Sequence, residues 1–201
     1  MRNKSNHKHG HRGFSLVELM LVILVVLIVS SFAVPSFLSV MRSLRSAGDA
    51  HDVNGEITLA KMRAASKFTR ARVYADLPAR TFRIEVWDKS GAGSWATEGG
   101  TQSLSRDITF GFGTLGTPPT GTQATIGQAP ACRNNAGGTI ANTACVVFNS
   151  RGIPIDSTLT PTPNDALYVT DTKSVYGVTV SATGLIQMWR TDAQTAQWKK
   201  R

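Results

Sequence analysis

Few side chains in this sequence are placed to do chemistry. His7, His9 and His11 alternate within the first thirteen residues, and beyond them only His51 remains. The alternating trio suits a metal ion in vitro, but one histidine elsewhere supplies neither a Ser–His–Asp arrangement nor a histidine-rich metal site. Gly91-Ala92-Gly93-Ser94 lacks the lysine and the spacing of a phosphate loop and reads as a turn. No pair of carboxylates stands out for acid–base work, and nothing calls for a cofactor. These residues point to a structural or binding protein, not an enzyme.

Three other groups carry more meaning. Cys132 and Cys145 have twelve residues between them. A single pair cannot make a four-cysteine zinc site. A disulfide closing a glycine-rich loop fits better and requires an oxidising compartment such as the periplasm; the alternative is two buried thiols. Glu18 interrupts the apolar stretch Gly13-Phe14-Ser15-Leu16-Val17-Glu18-Leu19-Met20. A charge at mid-bilayer costs roughly 2.5–3.5 kcal/mol, so Glu18 needs a cationic partner or a place at headgroup depth. Arg190, Lys199, Lys200 and Arg201 cluster at the C-terminus around Trp189 and Trp198. Cations for phosphates and aromatics for bases are the ingredients of nucleic-acid binding. The other reading is a solvated tail whose tryptophans cover a sheet.

The elements that position these groups follow from patterning. The chain has 201 residues and a net charge of +9, of which Arg2, Lys4, Lys8 and Arg12 supply four before residue 13. No internal repeat is visible. From Leu19 to Val29 every residue is apolar, and extension to Val40 gives the roughly 20 residues that span a bilayer. The basic leader predicts a cytoplasmic N-terminus. Ser31-Phe32-Ala33 also resembles a secretory cleavage site, but helical patterning continues past it. Leu44, Ala47, Ala50, Val53, Ile57, Ala60, Ala64 and Phe68 recur every three or four residues, one stripe of an amphipathic helix. The two spans predict one helix of about 50 residues, on the order of 75 Å, kinked at Pro35.

After Phe68 the period changes. Thr81–Trp87 alternates as a half-buried strand, and further strands are expected at Ile108–Phe112, Cys145–Phe148, Ala166–Thr170, Ser174–Val180 and Leu185–Arg190. Residues 113–143 read as a long loop pinned by the cysteines. The class is α+β, with a long N-terminal helix, transmembrane then amphipathic, laid on one or two antiparallel sheets.

Gly13-Phe14-Ser15-Leu16-Val17-Glu18, after a basic leader and before a long apolar helix, resembles the class III signal of type IV pilins and type II secretion pseudopilins. Pro35 falls where that family commonly kinks its helix. The resemblance implies prepilin peptidase cleavage after Gly13 and N-methylation of Phe14. It implies that Glu18 pairs with the amine of a neighbouring subunit during assembly, which would offset the cost of the carboxylate. Ala60-Lys61-Met62-Arg63-Ala64-Ala65 and Phe148-Asn149-Ser150-Arg151-Gly152 are similar to features of the GspH/FimT minor pilin group. On that resemblance, residues 1–13 are a cleaved leader, 14–40 a transmembrane and assembly helix, 41–70 its amphipathic continuation, and 71–201 a periplasmic β-rich domain. The implied partners are other pilin subunits, prepilin peptidase and the inner membrane, in a type IV pilus or a secretion pseudopilus, with an initiation or tip role. Some FimT-like subunits take part in DNA uptake through a Gly-Arg-x-Arg segment. Gly184-Leu185-Ile186-Gln187-Met188-Trp189-Arg190 departs from that pattern, and DNA binding by the basic C-terminus is the alternative function.

Overall fold

The computed structural model describes residues 14–162 and 164–201. The expected leader and Gly13 lie outside the described residues. The chain divides into two units, Met1–Met41 and Arg42–Arg201.

In the first unit, helix α1 (Leu16–Ser66) begins after Ser15, whose carbonyl accepts the Leu19 N–H at 3.0 Å. All side chains from Phe14 to Val40 are exposed. Among the described residues α1 is the one helix long and apolar enough to cross a membrane, with a mean hydropathy of 2.8 in its most apolar window. It continues through Pro35. Proline has no N–H to give the carbonyl four residues back, here that of Ser31. On either side the Ser31 and Ser36 hydroxyls donate to the carbonyls of Ile28 and Phe32, at 2.7 and 3.0 Å.

In the second unit, α1 runs from Arg42 to Ser66 and ends in a Schellman turn. The Phe68 N–H donates to the Ala65 carbonyl and the Thr69 N–H to that of Ala64, at 3.2 and 3.1 Å. Phe68 holds the left-handed position, φ +50°, where glycine is usual and a bulky side chain costs roughly 1–2 kcal/mol. Among the described residues nine strands follow: β1 (Ala71–Asp76), β2 (Thr81–Asp88), β3 (Ser94–Ser103), β4 (Thr109–Phe110), β5 (Thr143–Phe148), β6 (Asp165–Thr170), β7 (Ser174–Val180), β8 (Ile186–Asp192) and β9 (Thr195–Lys200). They form two antiparallel sheets, ordered β3-β2-β1-β5 and β4-β6-β7-β8-β9. The fold is α+β, one long helix packed on antiparallel sheets.

The core forms where Ala50, Val53, Ile57, Ala60 and Ala64 of α1 meet Val73, Phe82, Ile84, Val146 and Phe148 of the first sheet and Leu167, Val169 and Val178 of the second. Period-two alternation aims Phe82, Ile84 and Val86 inward. Two ends of the expected stripe are not in this core: Leu44 is 62% exposed and Phe68 77%. Asp49 and Glu56 are buried instead, because the chain leaving β3 supplies donors. Ser105 gives Asp49 its backbone N–H and its hydroxyl at 2.7 and 2.8 Å, and Gln102 Nε2 donates to Glu56 Oε1 at 2.8 Å.

Three strands were not expected from the sequence. β1 is short and follows the helix cap directly. β3 carries Gly99-Gly100 and a register shift opposite Phe82–Ile84. β9 is largely polar. Both β3 and β9 are sheet edges, where one neighbour satisfies the pairing and no continuous apolar face is required.

Candidate functional site

The N-terminal segment carries the expected processing and assembly residues. Phe14 and Glu18 are exposed, and Glu18 lies in the first turn of α1. Ser15 immediately precedes α1 and Glu18 stands three residues further on, the spacing of a capping box. A carboxylate there also faces the positive end of the helix dipole.

The two local features of the GspH/FimT resemblance meet in space. Asn149–Gly152 is a tight turn, with the Gly152 N–H donating to the Asn149 carbonyl at 2.9 Å. Lys61 on α1 reaches across this turn, and its Nζ donates to the Gly184 carbonyl at 2.8 Å. A Cβ on Gly152 would stand 2.8 Å from Lys61 Cε, and one on Gly184 would collide with the Gly152 carbonyl oxygen. Both glycines have positive φ, +72° and +79°, so close approach and backbone conformation each require glycine.

Cys132 and Cys145 are joined in a disulfide, with Cα atoms 5.0 Å apart. It ties the loop before β5 to the outer face of the first sheet, over Tyr74. That face carries groups the sequence reading did not single out. Arg72 and Glu85 are cross-strand partners, buried to 3% and 5% exposure. Arg72 Nε donates to Glu85 Oε2 at 2.7 Å and Arg83 Nε to Glu85 Oε1 at 2.9 Å. The Arg72 guanidinium lies 4.0 Å from the centroid of Trp95, and that of Arg70 lies 4.2 Å from Trp87. Burial pulls Arg72 below its ordinary pKa, with Glu85 opposing the shift. A cleft of about 500 Å³ opens here between Arg70, Trp87 and Trp95 on one side and Asp156, Leu159 and Asp165 on another. The alternation of β2 places Arg83, Glu85 and Trp87 on this face, but their partners on β1 lay in a strand that patterning did not reveal.

The C-terminal cations stand on a hairpin rather than on a loose tail. Arg190 pairs with Lys199 and Trp189 with Lys200 across β8 and β9. Both tryptophans have structural work. Trp198 sits 5.8 Å from Tyr168 and its Nε1 donates to the Thr117 carbonyl at 2.9 Å, while Trp189 Nε1 donates to Thr179 Oγ1 at 3.0 Å. Arg190 lies 5.6 Å from the ring of Tyr176. Among the described residues no group of three or more His, Cys, Asp or Glu side chains is arranged to hold a metal ion.

Residues 8–34 match the family described as the prokaryotic N-terminal methylation motif. No curated protein matches the chain. The structure is similar to that of the minor pseudopilin EpsH from the type 2 secretion system of Vibrio cholerae, at 12% identity and a TM-score of 0.43, over 72% of this chain and 94% of that one. The methylation motif therefore covers the start of α1, and the family of the remaining chain is not defined by it.

Proposed function

We propose that the chain is a minor pilin or pseudopilin subunit of the GspH/FimT type. It is inserted in the bacterial inner membrane with its N-terminus cytoplasmic, cut by prepilin peptidase after Gly13, methylated on Phe14, and assembled through α1 into a type IV pilus or a type II secretion pseudopilus. The observation that carries this reading is the methylation motif at residues 8–34 running straight into an apolar helix exposed along Phe14–Val40. An exposed apolar surface of that length is suited to lipid and then to neighbouring helices. In this reading Glu18 faces the positive end of its own helix in the isolated subunit and meets the N-terminal amine of a neighbour in the filament, Pro35 adapts the helix to its neighbours, and 71–201 is a periplasmic domain held by its disulfide. The role is structural, at the initiation or tip end.

Mass spectrometry of the chain purified from its host tests the reading. N-methylated Phe14 at the mature terminus is the expected result; Val34 would mean a secreted protein with an ordinary signal, and an unprocessed Met1 would remove the peptidase step. Pili and exported enzymes, assayed together in a strain lacking the protein, separate the two machines.

A second reading makes the C-terminal hairpin a DNA-contacting edge. The cross-strand placement of Arg190 with Lys199, followed by Lys200 and Arg201, favours it, since fixed cations on one edge suit a phosphate backbone. Its tryptophans are occupied within the fold, so contact would run through phosphates rather than through stacked bases.

A further inference from the structure

Two large apolar side chains are held in water on left-handed backbone, and both border one cleft. Phe68 has φ +50°, and Leu159, closing the Asp156–Leu159 turn, has φ +66° and is 56% exposed. Glycine would take either conformation freely. Between them lies a cleft of about 370 Å³ whose other walls include Arg70, Trp87, Lys89 and Ile155. It opens beside the larger cleft on the outer face of the first sheet, sharing Arg70, Trp87 and Leu159 with it.

The charge of this cleft has one sign. Arg70 and Lys89 line it and no acid does. Lys89 Nζ donates to the Phe68 carbonyl at 2.6 Å, and among the described residues neither cation forms an ion pair. Arg70 is half-buried over Trp87; its carbonyl accepts the Trp87 N–H at 2.8 Å, and its guanidinium has no hydrogen-bond partner among the described residues. A guanidinium stacked on a ring keeps its in-plane N–H groups free at the edge, the geometry that takes a carboxylate with two parallel bonds. Gly93 packs against Trp87 so closely that a Cβ there would run into the indole ring. The indole serves as a platform for Arg70.

We propose that the surface made by Phe68, Arg70, Trp87, Lys89 and Leu159 docks a segment of a partner protein bearing a carboxylate between aliphatic or aromatic side chains. Arg70 and Lys89 take the carboxylate, while Phe68 and Leu159 enter apolar hollows of the partner and exclude water from the ion pair. Charge complementarity selects an acidic segment over a basic one, and the exposed aliphatic Leu159 offers no ring on which a base could stack. This docking surface lies wholly within Arg42–Arg201 and does not depend on how the N-terminal segment is processed.

The test uses the full chain in phosphatidylcholine nanodiscs, with empty nanodiscs as baseline. The probe is a fluorescein-labelled peptide of alternating Glu and Leu with blocked ends, followed by anisotropy and by tryptophan emission. We expect binding that weakens about tenfold in Arg70→Gln and about fivefold in Phe68→Gly, as loss of one charge-assisted contact and of one apolar anchor would give. Phe68→Gly relieves the left-handed cap, so its melting temperature should not fall and lost binding cannot be laid to unfolding. Equal affinity of native and variant chains would overturn the proposal. So would equally tight binding of labelled control peptides of alternating Lys and Leu or of alternating Glu and Ser, no binding of the Glu/Leu peptide, or preference for oligothymidine. Self-association that is abolished by Phe68→Gly would make the occupant a second copy and overturn it as well.

Discussion

Arg72 and Glu85 show how one residue pair constrains the outer face of the first sheet. Each is buried, and Glu85 is shared, so one carboxylate answers two guanidiniums. Removing one partner of a buried pair leaves a charge with neither water nor counter-ion. Glu85→Gln keeps the shape and removes the charge, and we expect a loss of about 3 kcal/mol in the unfolding free energy, measured by urea titration. The half-exposed Arg83 contributes little to this figure, since an ion pair open to water is worth about 1 kcal/mol or less. Arg72 Nη1 also donates to the Arg133 carbonyl at 2.6 Å, so the same substitution should loosen the loop that walls the larger cleft. Alternation placed Glu85 outward, but only the register of β1 against β2 supplied its partner.

Among the elements, the segment between β4 and β5 is the least regular and the most dependent on a covalent tie. It has no strand of its own between Phe110 and Thr143, apart from the bridge of Arg133 with Thr139. The disulfide closes a span of 13 residues, which the chain-entropy estimate values at about 3 kcal/mol. Replacing both cysteines by serine should lower stability by about that amount, seen as a lower melting midpoint with the fold retained. Hydrogen exchange should rise first at Cys132, whose N–H donates to Thr143 Oγ1 at 2.9 Å, and at Ile140, whose N–H donates to the Cys132 carbonyl at 2.8 Å. The helix was legible over most of its length because it repeats one rule for many turns. Its C-terminal cap was not, because Phe68 fits the apolar period and yet sits just past the last helical turn.

For the whole molecule, the response to pH is set by buried acids. Burial and the nearby Asp156 push the Asp165 carboxyl from 3.8 to about 6. Between those values the folded chain keeps a proton that the unfolded chain has released, so stability falls as pH rises from about 4 to about 6. The stabilisation is complete below about pH 4, and for this group alone it amounts to about 3 kcal/mol. Burial raises Glu56 in the same direction, whereas hydrogen bonds hold Asp88 and Asp156 below the usual range and act oppositely only below about pH 4. The melting temperature should therefore be higher at pH 4.5 than at pH 7, and Asp165→Asn should flatten that difference. A melting temperature that rises with pH across this range in the native chain would contradict the assignment.

Features that repeat locally were readable from residue order: the apolar helix, its amphipathic continuation, the alternation of β2, the run of β7 from Ser174 to Val180, and the Asn149–Gly152 turn. Each is dictated within a few residues by side-chain period or by turn chemistry. Which distant groups meet emerges when the elements pack together. Edge strands β3 and β9 exist because a neighbour pairs with them, and Asp49 and Glu56 are buried because Ser105 and Gln102 come to them. Lys61 closes over Gly152 and Gly184 from another element, and Arg70, Trp87 and Leu159 share a cleft across a long chain separation. Local pattern specifies how a segment coils or extends, but a contact between remote residues is chosen by the packing of whole elements, for which no short stretch carries the signal.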